Sequence, residues 1–148
     1  MRAKSVVLPV IVIGLLLGAG CKSSTGPEDE DDFVGTWRAT KAEYTSVATP
    51  ANKVDIIAAG STLTLVLSTS TAVLTITDPG ESPVVLNANW SASVDVLTLT
   101  WTSGSSGETQ FDYTLDGDEL TMTGGHMPFD FTPGVPEEAI LDLILVRQ

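Results

Sequence analysis

Strict alternation of apolar and polar positions dominates the chain beyond Phe33. Leu63, Leu65 and Leu67 fall on one side of an extended segment, with Thr62, Thr64 and Val66 on the other. Leu74 and Ile76 repeat this against Val73, Thr75 and Thr77, and Leu86, Ala88, Trp90 and Ala92 against Asn87, Asn89 and Ser91. Leu97, Leu99 and Trp101 alternate with Thr98, Thr100 and Thr102, and Phe111, Tyr113 and Leu115 with Gln110, Asp112 and Thr114. Successive side chains of a strand point to opposite faces, so a period of two marks strands with one face buried. The last run is less clean: Leu141, Leu143 and Leu145 oppose Asp142, but Ile140, Ile144 and Val146 share its side.

Turn chemistry separates the runs: D-P-G-E-S-P from Asp78 to Pro83, S-G-S-S-G from Ser103 to Gly107, and D-G-D from Asp116 to Asp118. Asp-Gly suits a tight hairpin because glycine accepts positive φ without steric cost. The pattern predicts about eight strands, near residues 35–47, 61–68, 71–77, 84–92, 95–102, 108–115, 119–124 and 138–147. Short connections make sequence neighbours pair antiparallel, and closing such a meander removes its two exposed edges. The expectation is an all-β antiparallel up-and-down barrel over residues 33–148. Two connections are longer. V-D-I-I-A-A, within Ala48 to Gly60, predicts a short helix over one barrel mouth, and Gly125 to Glu137 reads as a loop or a short extra strand.

The segment before Phe33 follows other rules. Arg2 and Lys4 precede an uncharged run from Val6 to Gly20 that ends on small residues, the layout of a secretory signal peptide over residues 1–20. The run is shorter than the roughly 18 to 20 residues needed to cross a bilayer as a helix. L-G-A-G-C, from Leu17 to Cys21, resembles the lipobox of bacterial lipoprotein precursors, departing from it at Gly18, where an aliphatic residue is usual. The resemblance implies cleavage before Cys21 and acylation of its thiol, palmitate included, which makes the membrane a partner through that anchor. Lys22, in place of the Asp that resembles an inner-membrane retention signal, implies the outer membrane, with the domain facing the periplasm or the surface. Residues 21–32 run C-K-S-S-T-G-P-E-D-E-D-D and read as a solvated, disordered acidic tether. Their contiguous acids lack the spaced ligands and internal glycine of a calcium loop.

Charge narrows the partners. The formal net charge is −12, and removal of Arg2 and Lys4 with the leader takes it to −14. The remaining Lys22, Arg38, Lys41, Lys53 and Arg147 are scattered, which argues against nucleic acid as a partner.

F-V-G-T-W, from Phe33 to Trp37, carries the G-x-W pair on the first strand, and Arg147 lies on the last. Together with D-G-D-E-L-T-M further on, this resembles the bacterial lipocalin-like lipoprotein domains. The resemblance implies that Gly35, Trp37 and Arg147 close one end of the barrel, with the arginine packed across the indole. Another antiparallel barrel or sandwich that opens on a tryptophan would share so short a motif. The later lipocalin motifs are not evident, so ligand capture does not come with the fold.

Candidate chemistry is sparse. One histidine, His126, sits in G-G-H-M-P and reads as a partly exposed loop residue, and no nucleophile elbow accompanies it. One His and one Cys cannot assemble a metal cluster, so neither metal nor cofactor is expected. Asp55, Asp95, Glu108, Asp112 and Asp130 are the acids available for paired carboxylate catalysis; as a set they read as solvated surface, and no catalytic residue or enzyme activity is assigned. What remains is the interior. Leu65, Leu74, Trp90, Leu99, Trp101, Phe111, Tyr113 and Met122 are the candidate lumen-lining residues. An eight-stranded barrel is just wide enough to be filled by such side chains or to hold one small ligand. Two roles follow: binding a small hydrophobic ligand, fatty or aromatic, or a solid barrel whose surface contacts another envelope protein.

Overall fold

The computed structural model describes residues 29–148. The leader (1–20), the lipidation of Cys21 and the tether as far as residue 28 lie outside the described residues. Glu30, Asp31 and Asp32, the end of the acidic run, form with Phe33 a single helical turn, α1 (Glu30–Phe33), that leads into the first strand.

Nine strands follow: β1 (Gly35–Ser46), β2 (Lys53–Asp55), β3 (Thr62–Leu67), β4 (Thr71–Thr77), β5 (Val84–Ser93), β6 (Val96–Ser103), β7 (Glu108–Asp116), β8 (Glu119–Thr132) and β9 (Val135–Arg147). Each of β3 to β9 pairs antiparallel with its sequence neighbour, and β1 pairs with both β3 and β9, closing an eight-stranded barrel. β2 is an addition to that ring. It pairs with the far half of β1, where Glu43 to Thr45 oppose Lys53 to Asp55.

The alternation of the sequence becomes the inside and outside of this barrel. Leu63, Leu65, Leu67, Leu74, Leu97, Leu99, Phe111, Leu120, Met122, Leu141, Leu143 and Leu145 are buried in one continuous core. The threonine-rich set covers the wet surface, where a β-branched polar residue fits a half-exposed pleat.

Two expectations for the connections need correction. V-D-I-I-A-A does not form a helix: it becomes β2 followed by a turn. The Asp55 carboxylate explains why, since its Oδ1 accepts from the amides of Ile57 at 3.0 Å, Ala58 at 3.4 Å and, across the sheet, Ala42 at 3.2 Å. A short acid that captures its own downstream amides favours a turn over a helix. The Gly125 to Glu137 segment is not a loop. It lengthens β8 and β9 into a hairpin whose reverse turn is at residues 133–134, and His126 sits on β8 opposite Ile140.

Bulges set the parity of the two longest strands. In β1 the register against β9 shifts between Ala39 and Lys41, so Trp37 and Ala39 face inward before it, and Ala42, Tyr44 and Ser46 after it. In β8 the shift lies between Met122 and Gly125: Leu120 and Met122 point in before it, Gly125 and Met127 after it. One extra residue moves all that follows to the opposite face. Gly124, at the second bulge, has φ of +79°, a conformation open to glycine, and its amide donates to Asp142 Oδ1 at 2.9 Å.

Candidate functional site

The barrel has two unlike ends. One holds α1, the start of β1, the turns after β3, β5 and β7, and the end of β9. The other holds the end of β1, β2, the turns after β4 and β6, and the tip of the β8–β9 hairpin.

The first end is sealed by a stack of side chains. Phe33, fully buried, plugs the opening, with its ring edge-on to Tyr113 at 5.1 Å and tilted against Trp90 at 5.6 Å. Trp37, also fully buried, donates from Nε1 to the Phe33 carbonyl at 2.8 Å. Arg147 lies across the other side of that indole, 4.3 Å from the ring centroid. Its Nη1 donates to the Val34 carbonyl at 2.8 Å, its Nη2 to that of Asp32, and its Nε lies 3.4 Å from Asp118. Gly35 permits this approach, for a Cβ there would stand 2.8 Å from Arg147 Nη1. The residues expected to close the barrel therefore do meet at one end. Polar atoms of the other aromatics are also tied down: Trp90 Nε1 donates to the Ser68 carbonyl at 2.6 Å and Tyr113 Oη to that of Ser93 at 3.2 Å.

The eight candidate lumen-lining residues are all buried: Trp90 and Tyr113 belong to the floor, and the other six are part of the packed core above it. Trp101 Nε1 donates to the buried Thr109 hydroxyl at 2.9 Å, and that hydroxyl donates on to the His126 carbonyl at 3.3 Å. Phe111 packs so closely on β8 that a Cβ at Gly125 would overlap its ring at 1.9 Å. Side chains, rather than ligand space, occupy this level of the barrel.

The second end is open. A cavity of about 480 Å³ is walled by Tyr44, Ile56, Ile76, Leu86, Met127 and Phe129, with Asp78, Val84, Gly104, Ser105, Pro128 and Asp130 completing it. None of the eight candidate residues borders it. The ring of Phe129 stacks on that of Tyr44 at 4.1 Å and 15°, and Phe131 meets Phe129 edge-on at 4.9 Å. Both members of the stacked pair lie beyond a bulge, so their inward orientation depends on the parity reversals in β1 and β8. Burial pushes the Tyr44 phenol up to about 12, and the Asp78 carboxylate adds to the effect. Ser61 Oγ donates to Asp78 Oδ1 at 2.6 Å, and the Gly134 amide to Asp130 Oδ2 at 3.1 Å.

The acids considered for paired catalysis are dispersed. Asp55 is engaged by backbone amides beside the mouth, Asp95 lies in the β5–β6 turn at the sealed end, and Asp112 is exposed on the outer face of β7. Glu108 accepts from Gln110 Nε2 at 2.7 Å on the exterior, and His126 Nδ1 lies 2.7 Å from Glu138 Oε1 on the exposed face of the hairpin. Among the described residues no group of three or more His, Cys, Asp or Glu is placed to hold a metal ion. Nor is any helix among them long and apolar enough to cross a membrane.

Fold and site together define a closed antiparallel β-barrel with one sealed end and one apolar mouth. No protein-family model, curated protein or solved structure matches the chain.

Proposed function

We propose that this is a cell-envelope lipoprotein whose lipocalin-like barrel binds a small hydrophobic ligand at its open mouth. The observation that carries the reading is the contrast between a cavity of about 480 Å³ with apolar and aromatic walls at one end and a floor closed by Phe33, Trp37 and Arg147 at the other. The volume falls within the range of small-molecule sites, and one blind end with one open end is what a binding cup requires. The G-T-W and Arg147 resemblance supports the lipocalin-like assignment. The likeness of Leu17 to Cys21 to a lipobox supports an acyl anchor on Cys21 and an outer-membrane address.

The anchor and the mouth have a consistent arrangement in this reading. The chain enters through α1 at the sealed end, so a short tether from Cys21 would hold that end toward the lipid and direct the mouth into the aqueous space. A second reading, a solid barrel that contacts another envelope protein, draws on the packed core formed by the eight inner candidates.

Mass spectrometry tests both parts. The full chain is extracted natively from the membranes of an expressing bacterium and then denatured. A stoichiometric small hydrophobic molecule released on denaturation, with acyl mass on an N-terminal Cys21 peptide, is the expected result. An empty barrel that takes up no added hydrophobic compound would leave the solid-barrel reading, and an unmodified Cys21 would remove the anchor.

A further inference from the structure

We propose that the mouth selects for positive charge: its ligand is a small molecule with an apolar body and an ammonium group, rather than a fatty acid or another anion. This rests on the reading that the mouth binds a hydrophobic ligand, and it adds the chemistry of the ligand's polar end.

The lining supplies the argument. It holds two carboxylates, Asp78 and Asp130, and no Lys, Arg or His. Each carboxylate accepts one hydrogen bond from a neutral group, Ser61 Oγ or the Gly134 amide, and neither forms an ion pair among the described residues. The described Lys and Arg side chains are committed elsewhere or lie away from the mouth, Arg38 being near the start of β1 next to Trp37. Lys41 and Lys53 both reach Glu43, at 3.3 and 3.2 Å, and Arg147 is locked into the floor at the opposite end. The charge at the rim is therefore uncompensated. A carboxylate ligand would bring a third negative group to it, whereas an ammonium would neutralise part of it.

The walls favour the same sign. Tyr44 and Phe129 line the cavity as a stacked aromatic pair. Ring faces carry negative electrostatic potential and attract cations, most strongly where water is partly excluded. An apolar body seated against Ile56, Ile76, Leu86 and Met127 shares the cavity with the aromatic pair and the two carboxylates, which its cationic end would favour.

The test uses three probes with one body and different heads: 4-phenylbutylamine, 4-phenylbutanol and 4-phenylbutanoate. Each is titrated calorimetrically into the full chain held in phosphatidylcholine nanodiscs, with empty nanodiscs subtracted. The expected order is amine, then alcohol, then carboxylate, with amine at least tenfold tighter than carboxylate at low salt. The gap should narrow at high salt, because the rim charges are solvent-exposed and screened. Asp130→Lys should weaken the amine and strengthen the carboxylate, and Asp78→Asn should weaken the amine threefold or more. If the alcohol binds but the amine has no advantage over the carboxylate, charge selection is overturned and the hydrophobic mouth stands. If none of the three binds, the hydrophobic-mouth reading itself falls.

Discussion

The sealed and open ends are built from the same kinds of residue, yet aromatic side chains do opposite work at the two. At the sealed end Trp90 and Tyr113 pack on Phe33, and Trp37, Trp90 and Tyr113 each donate a ring hydrogen to a backbone carbonyl. At the open end Tyr44 and Phe129 line a space instead of filling one, and Phe131 packs edge-on against Phe129. The difference lies in the chain around them. The floor gains a plug from α1 and a clamp from Arg147, whereas the mouth is spread by β2 and by the projecting β8–β9 hairpin. Stability should accordingly reside at the floor, and binding at the mouth.

The sharpest way to break this contrast is Trp37→Ala. It removes a fully buried indole, its bond to Phe33 and the surface on which Arg147 lies, so a loss of about 3–5 kcal/mol in urea denaturation is expected. A loss no larger than that of a mouth substitution would contradict the division of labour.

The next effect is at the mouth and depends on pH. The Tyr44 phenol ionises in the unfolded chain near 10 but in the folded chain only at about 12. A raised folded-state value contributes stability that is fully present below the unfolded pKa and is lost as pH rises through the folded one. The wild type should lose about 2 kcal/mol between pH 10 and 12, and Tyr44→Phe should remove most of that alkaline slope in chemical denaturation curves.

Arg147→Lys keeps the charge but gives up the planar fork that bonds Val34 and Asp32 while covering Trp37. Thermal unfolding should report a loss of about 1–2 kcal/mol. Phe129→Ala, at the half-buried mouth, should lower stability by about 1 kcal/mol, because water can fill the vacated space and no sealed cavity is left. Its affinity for 4-phenylbutanol should fall at least tenfold, so stability and binding separate in one variant.

The smallest effect concerns the outer wall. Hydrogen bonds from Lys53 and then Lys41 hold the Glu43 carboxyl below its usual range. This stability is present above the unfolded value and is lost as pH falls through the folded one. Because the cluster is solvent-screened, Glu43→Gln should reduce the acid-limb slope by only a few tenths of a kcal/mol.

Legibility in the sequence followed the same divide. Period-two alternation marked β3 to β7 with their inward faces and β9 less cleanly, and the G-T-W and Arg147 pair stood out because closure uses unusual residue types. The mouth was hidden for three physical reasons. Bulges at Thr40 and Gly124 reverse parity inside a strand, and the expected strand ends at residue 124 although β8 continues to Thr132. Pro128, Gly134 and Pro136 gave the hairpin the composition of a loop. V-D-I-I-A-A carried helical composition that the Asp55 carboxylate overrides by capturing amides. Alternation also tells which way a residue points but not its height in the barrel. The eight inner candidates were therefore correctly placed inside, while the cavity took its walls from Tyr44, Ile56, Met127 and Phe129.

Methyl-resolved NMR of the full chain in phosphatidylcholine nanodiscs, titrated with 4-phenylbutanol, separates mouth from core. Saturable shifts are expected at Ile56, Ile76, Leu86 and Met127, with Leu65, Leu120 and Met122 unmoved. Shifts concentrated on Leu65, Leu120 and Met122, or none at any site, would contradict an apolar mouth above a solid, sealed floor.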